Sequence, residues 1–176
     1  MNYPKTNTSG IDSTIKHLQT YLHDNLTRLW SVPKFDVYGR VYKNKRDAKV
    51  FPEYYLGGKE YKEVLLDDTR DGILFFSPSD FTDVIGRSLI TDTDLIFSVN
   101  LKNIGSNFER QDEEIRLDVL NLLSNYTRKQ EVKRIIIGLN NVYQDYNGVA
   151  EYFKDMQEYH HFKITLELRY SNNKCN

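Results

Sequence analysis

The segment His161-Phe-Lys-Ile-Thr-Leu-Glu-Leu-Arg-Tyr170 alternates between apolar and polar residues without interruption. Its even-numbered positions from Phe162 are apolar, and its odd-numbered positions from Lys163 to Arg169 are polar or charged. A period of two residues is typical of a β-strand that packs one face on a core. The segment therefore predicts a half-buried strand whose charged face lies away from that core.

Two earlier stretches have the spacing of amphipathic helices, with apolar residues three or four positions apart. The first begins at Ile11, after a Ser9/Asp12 capping-box pattern, and ends near Trp30 because Pro33 stops it. The second carries its apolar stripe at Ile115, Val119, Leu122, Leu123 and Tyr126. We expect both helices to pack on a sheet.

Further strands are predicted around these helices from alternation and β-branched runs. One follows residue 34, and another at Val50–Tyr55 contains Pro52, which favours an edge position. Residues 43–47 are expected to form a charged turn and residues 77–88 a polar loop. Two more strands are predicted at residues 95–101 and 132–139.

These elements predict an α+β fold with a mixed or antiparallel sheet packed against two amphipathic helices. Residues 1–10 are polar and are expected to be a flexible N-terminal arm. Residues 11–170 are expected to form a single α+β domain, and residues 171–176 a polar C-terminal tail. The sequence shows no internal repeat.

The composition excludes several classes of function. The chain has 176 residues and a formal net charge of −1, so it has no general electrostatic attraction for nucleic acid or anionic membranes. No apolar run approaches the roughly 20 residues that a membrane-spanning helix needs. Residues 1–6 lack the apolar stretch of a secretory signal. The single cysteine, Cys175, fits a reducing compartment.

The motifs that carry chemistry are weak. Asp67-x-Thr-x-Asp-Gly72 resembles the start of a calcium loop, but Pro78 stands at the twelfth position, where such a loop needs a glutamate. Adjacent His160 and His161 project to opposite faces of a strand, so they are not placed to share a metal. We therefore predict a protein that is not an enzyme and that has no catalytic residues, metal or cofactor.

Four loop carboxylates and one basic turn have competing interpretations. Asp80, Asp83, Asp92 and Asp94 could pair as acids, although loop carboxylates are more often caps and turn formers. The basic residues of 43–46 could contact DNA phosphates, although charged loop tips mostly keep a hairpin soluble. We therefore expect the four carboxylates to be caps and turn formers, and the basic turn to be a solvated hairpin tip.

The chain is rich in aromatic residues, with 13 Tyr, 9 Phe and 1 Trp. A single tyrosine is better explained by a strand position, but the total favours a protein that forms contacts with other surfaces. The candidate contact elements are residues 50–56 and 143–159. The candidate subunit or partner contacts are Tyr54, Tyr55, Tyr143, Tyr146, Tyr152, Tyr159, Lys163 and Arg169.

The order of elements resembles the tail-terminator or tail-completion proteins of tailed bacteriophages. The resemblance covers most of the chain from Ile11: a helix, several strands, a second helix, a hydrophobic strand, a Tyr/Asp-rich connection and the final alternating strand. The segments that carry it are Asp94–Lys102, Asp112–Leu120 and Met156–Tyr170. It is a resemblance of pattern and not of a strict motif.

The resemblance implies a structural virion protein at the head–tail junction, made in the bacterial cytoplasm. Such a subunit assembles into a six- or twelvefold ring around the DNA channel and contacts the portal or connector and tail or other neck proteins. Contact with the packaged DNA would be non-specific, and no membrane is involved. A closed ring needs two different, complementary surfaces on each subunit.

A second interpretation is a small non-enzymatic binding or regulatory module, of the immunity or adaptor type. It would act as a monomer or dimer with one protein partner and would not be part of a virion. Ring formation distinguishes the two interpretations.

Overall fold

The computed structural model describes residues 1–6, 8–64, 69–105, 109–127, 130–150 and 158–171. In these residues it confirms an α+β fold with a mixed sheet. The helices are α1 (Ile11–Leu29), α2 (Gln111–Asn125), α3 (Leu139–Val142) and α4 (Asn147–Ala150). The strands are β1 (Phe35–Arg46), β2 (Lys49–Gly57), β3 (Glu60–Glu63), β4 (Gly72–Pro78), β5 (Asp83–Ile85), β6 (Ser88–Asn100), β7 (Gln130–Ile137) and β8 (Tyr159–Ser171).

The strands follow the order β3-β2-β1-β4-β6-β8-β7 across the sheet, and β5 pairs with the beginning of β6. β1 and β4 are parallel, whereas the other pairs are antiparallel. The alternating segment of the sequence is therefore β8, held between β6 and β7.

One face of the sheet carries the larger apolar cluster. The predicted α1 stripe is buried from Ile11 to Leu26, whereas its last member, Leu29, is 52% exposed. Helix α2 contributes Ile115, Val119 and Leu123 to the same cluster. The even-numbered residues of β8 from Phe162 to Leu168 belong to it too. Each fully buried large apolar side chain contributes about 1.5–3 kcal/mol of hydrophobic stabilisation. None of the described helices is both long and apolar enough to cross a bilayer.

The opposite face of the sheet carries a second cluster, built around the buried tyrosines 38, 54, 143 and 146. Segment 139–149, which includes α3, contributes Val142 and Val149 to it. Lys163 and Thr165 of β8 are buried on this side of the sheet. The expected charged face of β8 is thus covered along its first half. Alternation predicted which residues share a face, but it does not reveal what covers that face.

The beginning of the chain differs from the predicted flexible arm. Asn2 forms a parallel bridge with Val37, and the amide of Tyr3 donates to the Val37 carbonyl over 3.1 Å. The Tyr3 ring stacks on Tyr38 at a centroid distance of 4.8 Å. The Val37 backbone and the Tyr38 ring thus hold this segment on its own domain. Residue 7 and residues 172–176 of the tail lie outside the described part.

Four local predictions are wrong. β2 lies between β1 and β3 and not at an edge; Pro52 is accommodated because the β2–β3 pairing begins only at Glu53. β1 continues through Arg46, so the turn is shorter than residues 43–47. Residues 77–88, expected to be a loop, contain β5 and a hairpin. The helix α1 begins after Gly10 without a side-chain cap, so the Ser9 capping box does not form.

A close contact inside the sheet gives a stability prediction. A Cβ atom on Gly72 would lie 2.9 Å from the Phe35 ring and 2.9 Å from the Ser98 carbonyl oxygen. We expect Gly72→Ala to lower the free energy of unfolding by about 1–3 kcal/mol, since overpacking forces neighbours apart. Gly105→Ala is the control, because its Cβ would meet no atom within 4 Å. Equal urea midpoints for the two variants would contradict this packing.

Candidate functional site

A pocket of ≈ 260 Å³ lies between the N-terminal segment, the first half of α1 and the β1–β3 end of the sheet. The alternation of β1 and β3 turns one aromatic side chain of each strand towards it. Five tyrosines line it, and we call it the tyrosine pocket: Tyr3, Tyr42, Tyr54, Tyr55 and Tyr61.

The tyrosine rings contact one another around the pocket. Tyr61 meets Tyr42 edge-on, with centroids 5.0 Å apart, and meets Tyr55 at 5.2 Å. Tyr3 and Tyr54 lie 5.9 Å apart on the other side. Tyr42 and Tyr61 remain exposed to solvent. Such amphipathic rings present apolar faces and hydroxyl groups at one surface.

Three cationic side chains and one carboxylate complete the lining. Arg40 pairs with Asp12 at 2.9 Å, and its guanidinium lies 4.9 Å from the Tyr42 centroid. Lys5 Nζ lies 5.3 Å from the ring centroid of Tyr55, a cation–π contact. Burial raises the pKa of the Asp12 carboxyl, although nearby Arg40 opposes this shift. Burial also lowers the pKa of Lys5. The fourth charged group is Lys16, whose ammonium donates to a backbone carbonyl.

A second groove, of ≈ 480 Å³, lies between the start of α2 and the adjoining ends of β7 and β8. Burial lowers the pKa of His161 to about 4, and neighbouring His160 acts in the same direction. Hydrogen bonding from Arg110 lowers the pKa of the Asp112 carboxyl to about 2. Burial lowers the pKa of His160 as well, and the Arg116 guanidinium adds to this shift. The two imidazoles are therefore neutral at pH 7, and Arg110, Asp112 and Arg116 form ion pairs at the start of α2.

The structure brings three of the predicted loop carboxylates into a third groove: Asp80, Asp92 and Asp94. Asp92 pairs with Lys133 at 2.6 Å, and Asp94 pairs with Lys163 at 3.0 Å. Among the described residues, no group of three or more His, Cys, Asp or Glu side chains is placed to hold a metal ion. The groove is therefore a set of ion pairs. Residues 67 and 68 of the calcium-loop pattern lie outside the described part.

Strand β7 forms an open end of the sheet. In the described part of the chain it pairs with β8 alone. Ile135 lies opposite Ile164, and Ile137 lies opposite Phe162, so these two isoleucines share the face of the larger apolar cluster. Together with Val132 they are between 39% and 51% exposed. We call these three side chains the β7 edge.

Several predicted contact residues lie inside the subunit. Tyr54, Tyr143 and Tyr146 are buried, and the Tyr146 hydroxyl is 2.7 Å from the hydroxyl of Ser77. Burial raises the pKa of both Tyr143 and Tyr146. Their position in a second core layer corrects the expectation that they lie on a contact surface. The reason is that segment 139–149 packs on the sheet instead of extending from it.

The other candidates divide between core and surface. Lys163 is only 2% exposed, whereas the Arg169 side chain is 51% exposed and pairs with Glu167. Tyr55 lines the tyrosine pocket, and the Tyr159 hydroxyl donates to the Arg70 carbonyl oxygen at 2.6 Å. Of the predicted polar face of β8, Arg169 is thus available to a neighbour but Lys163 is not. Tyr152 lies outside the described residues.

The comparisons with known proteins add no identity. The sequence matches no protein-family model and no curated protein. The geometry of the described residues is therefore the basis for a functional proposal.

Sequence reasoning missed most of the tyrosine pocket. Only Tyr54 and Tyr55 were among the candidates, whereas Tyr3, Arg40 and Tyr61 come from segments far apart in the chain. The available signal was the interleaving of aromatic and basic residues in β1, at Tyr38-Gly-Arg-Val-Tyr42. That pattern does not show that β3 and the N-terminal segment fold over the same place.

The buried ion pair on β8 gives a second prediction. We expect Lys163→Met to lower the free energy of unfolding by about 3 kcal/mol, because it leaves the Asp94 carboxylate without its ammonium partner. Arg169→Met is the matched control on the same strand, and its exposed pair should change stability by less than about 1 kcal/mol. Urea unfolding measures both variants. Similar losses would contradict the different burial of the two cations.

The pKa of His161 gives a pH prediction. Its folded-state pKa of about 4 lies below the ordinary histidine value of 6.5, so the unfolded chain binds the proton first as the pH falls. The stabilisation is complete above about pH 6.5 and is lost towards pH 4, by roughly 1–2 kcal/mol between pH 7 and pH 5. His161→Phe should flatten this part of the stability profile. His17→Gln on α1 is the control, and an unchanged slope in His161→Phe would contradict the assignment.

Proposed function

We propose that this chain is a structural protein of the phage head–tail neck, a tail-terminator-like subunit that assembles into a ring around the DNA channel. The observation that carries the proposal is the β7 edge. The resemblance in element order supports it. In this proposal the protein functions in the virion after synthesis in the bacterial cytoplasm.

The β7 edge has the properties of a surface that binds another protein chain. Natural sheets usually block an open edge with charges, proline or a covering element. β7 carries Lys133 and Arg134, but its side chains Val132, Ile135 and Ile137 extend the apolar row of β8 beyond the cover of the helices. The free backbone groups of β7 and this apolar row can both be satisfied by a further strand or surface. A second copy of the chain is the occupant that we propose.

The other end of the sheet supplies a different surface. β3 is short and exposed, and its sequence Glu-Tyr-Lys-Glu carries two carboxylates and one ammonium group. β7 carries Glu131, Lys133 and Arg134, so the two ends differ in side-chain composition. Within the subunit, Lys133 already pairs with Asp92 and Glu167, and Glu63 of β3 pairs with Arg46. Contacts between unlike surfaces are head-to-tail, and they generate a ring when the rotation closes. Two unlike ends of one sheet thus meet the requirement of a cyclic assembly.

A neck subunit also needs surfaces for the proteins above and below the ring. The hairpin that contains β5 exposes Phe81, Val84 and Ile85, all more than half exposed. Gly86 has a positive φ of 61°, which forms the tight turn at its tip. Exposed apolar groups on a projecting hairpin are suited to bind the portal, connector or tail protein.

Ring assembly is tested at the β7 edge. We expect the wild-type chain to form closed oligomers of six or twelve copies, alone or with a connector or tail protein. Ile135→Lys combined with Ile137→Lys should abolish these oligomers while the subunit stays folded, because both side chains are already exposed. Native mass spectrometry and negative-stain microscopy measure the oligomers, and circular dichroism checks the fold.

Leu29→Lys is the matched control, since it replaces an equally exposed apolar residue on α1. Rings that survive the double β7 substitution would overturn the assignment of the contact. A wild-type chain that stays monomeric or dimeric with the neck components would overturn the ring itself. That result would favour the binding or regulatory module.

A further inference from the structure

We propose that the tyrosine pocket binds a nucleotide, with its base against the tyrosine rings and its phosphate against Lys5, Lys16 and Arg40. The inference goes beyond the assembly proposed above and does not depend on it. The free nucleotide and the unpaired end of a DNA strand share this chemistry.

The rings of Tyr42 and Tyr61 offer a surface for a nucleotide base. Their rings meet at an interplanar angle of 87°, so together they form a corner. Both side chains are exposed, which leaves ring surface accessible from solvent. A planar base can stack on one ring of such a corner and meet the other at its edge. Stacking of this kind accepts every base, since each base has a π-face.

The tyrosine pocket contains more positive than negative side chains. The Asp12 carboxylate pairs with Arg40, so one of the three cations is partly neutralised. Lys16 donates to the carbonyl oxygen of Thr6 over 3.2 Å, and Lys5 lies against tyrosine rings. Neither ammonium group forms an ion pair with a carboxylate in the described part of the chain. Both can therefore turn towards a phosphate without breaking a salt bridge.

The excess of positive charge in the pocket disfavours a cationic ligand. A lysine or arginine side chain from another protein would find aromatic rings, but also three positive groups against one carboxylate. Coulomb repulsion in a partly buried site disfavours this arrangement. The volume of ≈ 260 Å³ is at the small end for a ligand pocket, which favours a ligand of about one nucleotide unit.

The test is calorimetric titration of the full chain with four probes that separate the two halves of a nucleotide. They are 2′-deoxyadenosine 5′-monophosphate, deoxyadenosine, inorganic phosphate and a 5′-phosphorylated single-stranded oligonucleotide. N-acetyl-lysine methylamide is titrated as well, as the cationic comparison. We expect the monophosphate to bind at least about tenfold more tightly than deoxyadenosine or phosphate, because only it uses both the rings and the cations. Tighter binding of the oligonucleotide would identify a strand end as the source.

Three variants locate the site. Lys5→Ala combined with Lys16→Ala, and separately Tyr61→Ala, should each weaken binding of the monophosphate about tenfold. Lys62→Ala is the matched control, because this exposed residue follows Tyr61 on β3 and does not line the pocket. Circular dichroism and urea unfolding verify that each variant is folded.

Four results would overturn the proposal. They are no binding of any nucleotide probe at millimolar concentration, equal affinity for inorganic phosphate and the monophosphate, binding that the pocket variants leave unchanged, and tighter binding of N-acetyl-lysine methylamide than of the monophosphate. Each is independent of ring assembly, since a subunit that fails to form rings can still be titrated.

Discussion

Strands β6 and β8 pair along their whole length, from Ser88 opposite Ser171 to Asn100 opposite Tyr159, and the two faces of the fold take their positions from this ladder. Residues opposite each other share a face, so Phe97 stacks on Phe162 at 4.5 Å in the larger cluster. Asp94 and Lys163 meet on the other face. A slip of one residue would move Lys163 into the apolar cluster, at a large desolvation cost. The buried ion pair therefore disfavours any other register.

The periods in the sequence predicted those features that depend on which side chains share a face. The α1 stripe and the apolar face of β8 follow directly from spacing, and with them the α+β class. The wrong predictions for β8 and β2 have one cause. The spacing of apolar residues does not show what packs against a face of a strand or which strand lies beside it. The charged face of β8 becomes a second core layer because segment 139–149 covers it. Likewise, Pro52 argued for an edge, but an edge position depends on where the neighbouring strand begins.

The tyrosine pocket was beyond prediction for a related reason. Its lining comes from Tyr3 at the start of the chain, Asp12 on α1, Arg40 on β1 and Tyr61 on β3. None of these residues has a spacing that indicates a common site, because three separate tertiary contacts bring them together. The β7 edge is the opposite case. Its isoleucine run was visible in the sequence, but only the sheet order shows that no described strand lies beyond it.

The two proposed sites lie at opposite ends of one sheet, and this position has a thermodynamic consequence. In a head-to-tail ring, β7 of one copy approaches the β3 end of the next, where Tyr61 belongs both to β3 and to the tyrosine pocket. A ligand that contacts Tyr61 would then lie beside the subunit boundary. If assembly changes the affinity of the pocket, linkage requires that the ligand change the affinity between subunits by the same factor. Under that condition, nucleotide binding and ring closure would be coupled where Tyr61 of the short strand β3 lines the tyrosine pocket.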